Sequence, residues 1–278
     1  LGMALTRAHA EGDLAGAITL QRELGALTSW WVCGPFDNER GAAFGHPLPA
    51  EQGFDPDATF DGKKRPIRWR PLPIAEAPGG VLDLGSLHRP QEQVAVVLAC
   101  ALLAERDVDA LLALGCDGSF RVALDGRTLA AHDAQRAFAR DQDRVLLPLR
   151  AGPNLLVITA MVQDGPHRLA ARLRALDGAP LRDVQVSDAV TDLVAAANTT
   201  PRDVAGTLPR STLDHLLAHA ADGAAGAALR AATSLLLEHP DAPSTRRDRA
   251  LAEQAMRTVD QDQRWIANSV HAATLFVA

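Results

Sequence analysis

The chain of 278 residues contains no tyrosine, and aromatic residues make up only 4% of it. A site that stacks a ligand against a ring therefore has few side chains to draw on, chiefly Trp30, Trp31 and Trp69. Cysteine is scarce as well. Cys33, Cys100 and Cys116 are odd in number and show no CxxC spacing, which excludes a disulfide scaffold and a zinc knuckle and leaves three small buried hydrophobes. A basic excess is missing: 28 Lys and Arg face 34 Asp and Glu, for a formal net charge of -6. That balance excludes the basic stripe a nucleic-acid backbone demands, and the one lysine-rich cluster, Lys63-Lys64-Arg65, reads as a solvated loop. No apolar run reaches the roughly 18 to 20 residues of a membrane-spanning helix; the strongest, residues 94–103, stops before Glu105 and Arg106. The front of the chain has neither an initiator Met nor a charged-then-apolar signal segment, so the sequence is expected to be a piece of a longer protein.

Catalytic signatures are lacking too. There is no G-x-S-x-G elbow and no phosphate-cradling glycine motif, and Cys33 precedes Gly34-Pro35 rather than opening a helix. His215 and His219 have the i, i+4 spacing of metal ligands, but Leu216 stands where a metalloprotease motif places glutamate. No catalytic residue, metal site or cofactor is assigned, and the chain is not expected to be an enzyme.

What is present is strand and turn. The run from Cys116 to Arg127 reads as a tight turn, a strand with alternating apolar positions, then an Asp125-Gly126 turn into the next strand. Strands are predicted over 29–33, 67–72, 81–83, 93–103, 108–114, 120–124, 128–131, 144–149, 155–162 and 168–176, enough for two stacked sheets. Residues 34–66, rich in Gly, Pro and Asp, are expected to form a long ordered loop or cap. Residues 1–27 and 211–278 carry helical periodicity, while 178–210 reads as a connection with a short helix over 190–197. The pattern is thus that of an all-β sandwich over 28–177 with flanking α-helical segments, and the resemblances below imply that it is a jelly roll.

Three resemblances refine this. Trp30-Trp31-Val32-Cys33-Gly34-Pro35-Phe36, followed by Gly53-Phe54-Asp55 and Arg68-Trp69-Arg70, resembles the opening of jelly-roll modules of large bacterial proteins. Leu112 through Gly118, Leu124-Asp125-Gly126-Arg127 and Leu149 through Asn154 resemble the sugar-binding jelly rolls attached to glycoside hydrolases, and the protective-antigen-type lectin sandwich. Those relatives place two adjacent calcium-binding acids where this chain has Cys116-Asp117, a thinner oxygen set. Gly12 to Ala17, and again Gly223, Ala228, Leu235 and Pro240, resemble tetratricopeptide repeats. Such combinations occur in periplasmic or envelope-associated multidomain proteins, some with a transglutaminase-like domain, which is not visible here.

The resemblance implies a non-catalytic module that recognises a glycan where loop 34–66 meets the sandwich. Trp30, Trp31 and Trp69 are the expected platforms, and Asp117, Asp141 and Asp143 the hydroxyl-orienting acids. The turn chemistry of Asp-Gly accounts for Asp117 equally well, and gatekeeping of an edge strand for Asp141 and Asp143. The alternatives are a structural scaffold that binds a peptide or protein on its helical repeats and, less expected, a hydrolase. Trp30 and Trp31 are neighbours in a strand and must face opposite ways, so one fills the core and the other needs a cover from loop, helix or ligand. Trp69 is expected inward between outward Arg68 and Arg70.

Overall fold

A computed structural model describes residues 7–8, 10–72, 80–134 and 136–203. The chain divides into two units, 1–133 with 140–208, and 134–139 with 209–278. The first unit carries the strands. The helices expected over 211–278, with His215 and His219, lie outside the described residues.

Helix α1 (Leu14–Glu23) precedes the strands. Gly12 turns the chain with φ +73°, and the Asp13 side chain caps α1 by accepting from the Gly16 amide at 2.9 Å. Thirteen strands follow among the described residues: β1 (Trp30–Asp37), β2 (Thr59–Asp61), β3 (Pro66–Arg68), β4 (Arg70–Leu72), β5 (Leu82–Asp83), β6 (Val94–Ala104), β7 (Val108–Cys116), β8 (Ser119–Leu124), β9 (Arg127–His132), β10 (Asp143–Leu149), β11 (Gly152–Val162), β12 (Arg168–Ala175) and β13 (Val184–Ser187). Short helices α2 (Ala42–Gly45), α3 (Leu84–Leu87) and α4 (Val190–Ala197) lie between and after them.

Seven strands form one sheet in the order β4-β1-β6-β11-β8-β9, with β13 continuing the β1 side of β6; four form a second, β10-β7-β12-β5; β2 and β3 make a small ribbon. All the strand pairings among the described residues are antiparallel. The expected β-sandwich is therefore present. Its inner layer takes alternate residues of facing strands: Val96, Leu98, Cys100 and Leu102 from β6, Leu112 and Leu114 from β7, Leu156 and Ile158 from β11.

A third layer covers the outer face of the larger sheet. Ala95, Val97, Ala99 and Ala101 of β6 pack with Phe36, Phe54, Ile67 and Trp69 from the 34–69 region and with Leu193 and Ala196 of α4. Burial on both faces explains why β6 reads as an unbroken apolar run in an antiparallel sheet. The cap is locked by a polar clasp. Period-two alternation sends Arg121 of β8 and Thr159 of β11 outward as direct cross-strand partners. Glu51 drops between them, accepting from Arg121 Nη2 at 2.7 Å and from Thr159 Oγ1 at 2.8 Å. Arg121 also donates to the carbonyls of Ala43, Phe44 and His46.

Residues 178–203 are structured rather than a bare connection. β13 joins the larger sheet, α4 packs on its outer face, and Arg150 and Arg127 donate to the carbonyls of Thr200 and Arg202. Lys63 is likewise no solvated loop residue: its ammonium donates to the Gln93 carbonyl at 2.8 Å and pairs with Asp37 at 2.9 Å.

A polar cleft at the sandwich rim

Of the three expected platforms, Trp30 faces the inner layer with no exposed surface, its Nε1 donating to the Leu27 carbonyl at 2.8 Å. Trp31 faces the cap and is half-buried. It stands edge-on to Phe54 with centroids 5.3 Å apart and donates from Nε1 to the Asp188 carbonyl at 2.7 Å. Its cover is thus both loop and the approach to α4. Trp69 is buried in the cap layer against Phe54, with Arg68 and Arg70 exposed on either side. Among the described residues its Nε1 has no hydrogen-bond partner. The junction of cap and sheet is packed with side chains, and of the three tryptophans Trp31 keeps the most exposed surface there.

The acids separate. Asp141, just before β10, pairs with Arg172, and Asp143, the first residue of β10, lies 3.4 Å from His132 Nδ1. Asp117, in the β7–β8 turn, accepts from Arg168 Nε at 2.8 Å, from Nη2 at 3.2 Å and from the Arg168 amide at 2.9 Å. Its side chain is 6% exposed, so it acts on the surface through Arg168.

Arg168 leads to a feature that residue spacing does not reveal. A cleft of about 350 Å³ is lined by Asp83, Gly85, Ser86, Arg89, Gln91, Gly165, Pro166, His167 and Arg168. Two connections build it, the turn around α3 after β5 and the loop from β11 to β12. The Asp83 carboxylate caps α3 by accepting from the Ser86 amide at 3.3 Å, and the Ser86 hydroxyl donates to the Asp83 carbonyl. The turn hangs on the opposite loop through the Leu84 amide, which donates to the His167 carbonyl at 2.7 Å. Arg89 Nη1 donates to the carbonyls of Gly85 and His88, and Gln91 Nε2 shares the Gly85 carbonyl.

Behind the cleft two buried imidazoles meet edge to face, His88 and His167, with centroids 5.8 Å apart. Burial, helped by the charges of Arg70 and Arg89, lowers the His88 pKa to about 4. Burial and the neighbouring His88 lower His167 to about 3; the Ala160 carbonyl opposes this weakly without forming a hydrogen bond of normal geometry. Both rings are neutral near pH 7. The three cysteines are buried, and burial pushes the Cys33 thiol up to about 12 and Cys100 upward too. Among the described residues no three His, Cys, Asp or Glu are grouped to hold a metal ion, and Cys116 Sγ instead donates to the Asp117 carbonyl. The signal available in sequence was the polar run Ser86 to Gln91 between two apolar strands, and Asp164 to Arg168 between two more.

No family model matches this chain, and no curated protein matches it. Among solved structures it is similar to a PA14 sugar-binding domain from an RTX adhesin, at 20% identity over 34% of this chain and 50% of that one, with a TM-score of 0.28. It is similar also to the PA14 domain of the MpAFP antifreeze protein, at 10% identity, 29% and 44% coverage and a TM-score of 0.25. A β-glucosidase from Kluyveromyces marxianus aligns with 53% of this chain and 16% of its own length, at 11% identity and a TM-score of 0.33. The chain spans half the length of the first of these. Overlaps of this extent assign neither family nor ligand.

Proposed function

We propose that this chain is a non-catalytic carbohydrate-recognition module, one part of a larger multidomain protein, and that the rim cleft is its binding site. The observation that carries the reading is the convergence of Asp83, Ser86, Arg89, Gln91 and Arg168 on one cavity of about 350 Å³. Pockets for small ligands run from roughly 300 to 1,000 Å³ and combine a few fixed polar groups with apolar walls. Sugar hydroxyls donate and accept at once. The cleft answers with carboxylate, amide and hydroxyl oxygens as acceptors and guanidinium groups as donors, while the Pro166 ring supplies an apolar wall.

The same groups support a binding role over a catalytic one. The Ser86 hydroxyl donates to a backbone carbonyl rather than to a base, Arg168 is engaged by Asp117, and the Cys33 and Cys100 thiols are held protonated by burial. Isothermal titration of the chain with a panel of oligosaccharides tests the proposal. At least one saccharide is expected to release heat that disappears in Gln91→Ala and persists in Trp31→Ala. Silence across the panel, or loss in Trp31→Ala alone, would sink it.

A further inference from the structure

Arg89 gives the cleft a more specific chemistry. Its Nη1 is pinned by two backbone carbonyls, Gly85 at 3.0 Å and His88 at 2.8 Å. Both acceptors belong to the α3 turn, which is itself tied to the β11–β12 loop through the Leu84 amide. The guanidinium is therefore oriented by fixed backbone although the residue is exposed. What remains is the Nε–H and the parallel Nη2–H, the edge that matches the two oxygens of a carboxylate. Among the described residues no hydrogen bond or ion pair engages that edge, in a residue that lines the cleft.

The other charges around the cleft leave the position open to an anion. Arg168 is neutralised by its two-pronged pair with Asp117. Arg70, which donates to the Leu87 carbonyl, and Arg89 both act on the adjacent His88. Against these two cations stands Asp83, whose Oδ1 is occupied by the Ser86 amide. Arg70 and Arg89 outnumber Asp83 among these groups, while Glu92 and Asp164, exposed beside Gln91 and Gly165, carry negative charge, so the anion is held by the directed fork of Arg89 and not by a net positive field.

We infer that the cleft takes an acidic saccharide, a uronic-acid unit whose carboxylate sits on the Nε–Nη2 edge of Arg89 while Asp83, Ser86 and Gln91 meet its hydroxyls. This rests on the recognition reading above and narrows it to a ligand class. The full chain is titrated calorimetrically at low salt with oligogalacturonate and oligoglucuronate and with the methyl esters of both. The free acid is expected to bind tenfold or more tighter than its ester, about 1.4 kcal/mol. Arg89→Lys keeps the charge but loses the planar fork, and should erase most of that preference while the ester binds as before; an unchanged melting curve confirms the fold. Equal affinity for acid and ester, or a preference that survives Arg89→Lys, overturns the acidic-ligand inference and leaves carbohydrate recognition standing. No heat from any saccharide, acidic or neutral, overturns both.

Discussion

Asp117 and Arg168 show how a turn residue acquires influence over a surface it does not touch. The Asp-Gly pair is favoured at tight turns because both residues tolerate unusual backbone, and Gly118 here has φ +71°. A Cβ at that position would come 2.3 Å from the Met161 carbonyl oxygen, so the turn is held against β11 and the Asp117 carboxylate is fixed in place. It then grips Arg168 with two side-chain bonds and one to the backbone amide. Asp117→Asn keeps the shape but loses the charge and one acceptor. Because Arg168 is 40% exposed, solvent screens part of the loss, and a drop in stability of about 1–3 kcal/mol is expected by urea denaturation. Saccharide affinity should weaken along with it as Arg168 loosens in the cleft wall. The adjacent indoles make the complementary point: alternation alone dictates that Trp30 and Trp31 separate, and the structure buries the first and covers the second.

The cap behaves as an element held by a polar anchor. Glu51 and Arg121 are each 10% exposed in their side chains, and Thr159 adds a third member. Every nitrogen of the Arg121 guanidinium donates to the cap, to Glu51 or to a carbonyl of residues 43–46. Removing one charge of a buried pair costs more than the pair contributes, because the partner is left desolvated. Glu51→Gln is therefore expected to destabilise the protein by about 3–5 kcal/mol. Hydrogen exchange should quicken first over residues 42–51, before the β6–β11 pairing opens. Uniform acceleration of exchange across the sheet would instead show that the cap and sandwich unfold as one unit. None of this could be read from Arg121 and Thr159 as sequence, since an outward polar pair on a strand is the ordinary mark of a solvent-facing surface.

At the scale of the whole molecule, the buried imidazole pair makes stability depend on pH. Both histidines titrate lower in the folded state, His88 at about 4 and His167 at about 3, than the ordinary value of 6.5. The unfolded chain therefore binds more protons between those limits. Stability is complete above about 6.5 and declines as pH falls toward 4, with a slope approaching about 1.4 kcal/mol per pH unit for each ring. Urea midpoints measured from pH 7.5 to 4 should show the decline, and His167→Phe should make it shallower, leaving the share of His88; a flat profile in the unaltered chain would contradict the burial of the pair.

Sequence alone determined the strands. Apolar alternation and Gly, Pro and Asp punctuation are local properties, so eleven of the thirteen described strands, with β3 and β4 under the single run 67–72, the helix over 190–197 and an ordered 34–66 segment were legible in the sequence. β2 and β13 were not, because three or four residues carry too little periodicity to stand out from a loop. The cleft was beyond reach for a different reason. Arg89 and Gln91 belong to one connection and His167 and Arg168 to another, some 75 positions along the chain. Only the closing of β5 against β12 brings the two to the same rim, and convergence in space leaves no trace in the spacing of residues along a chain.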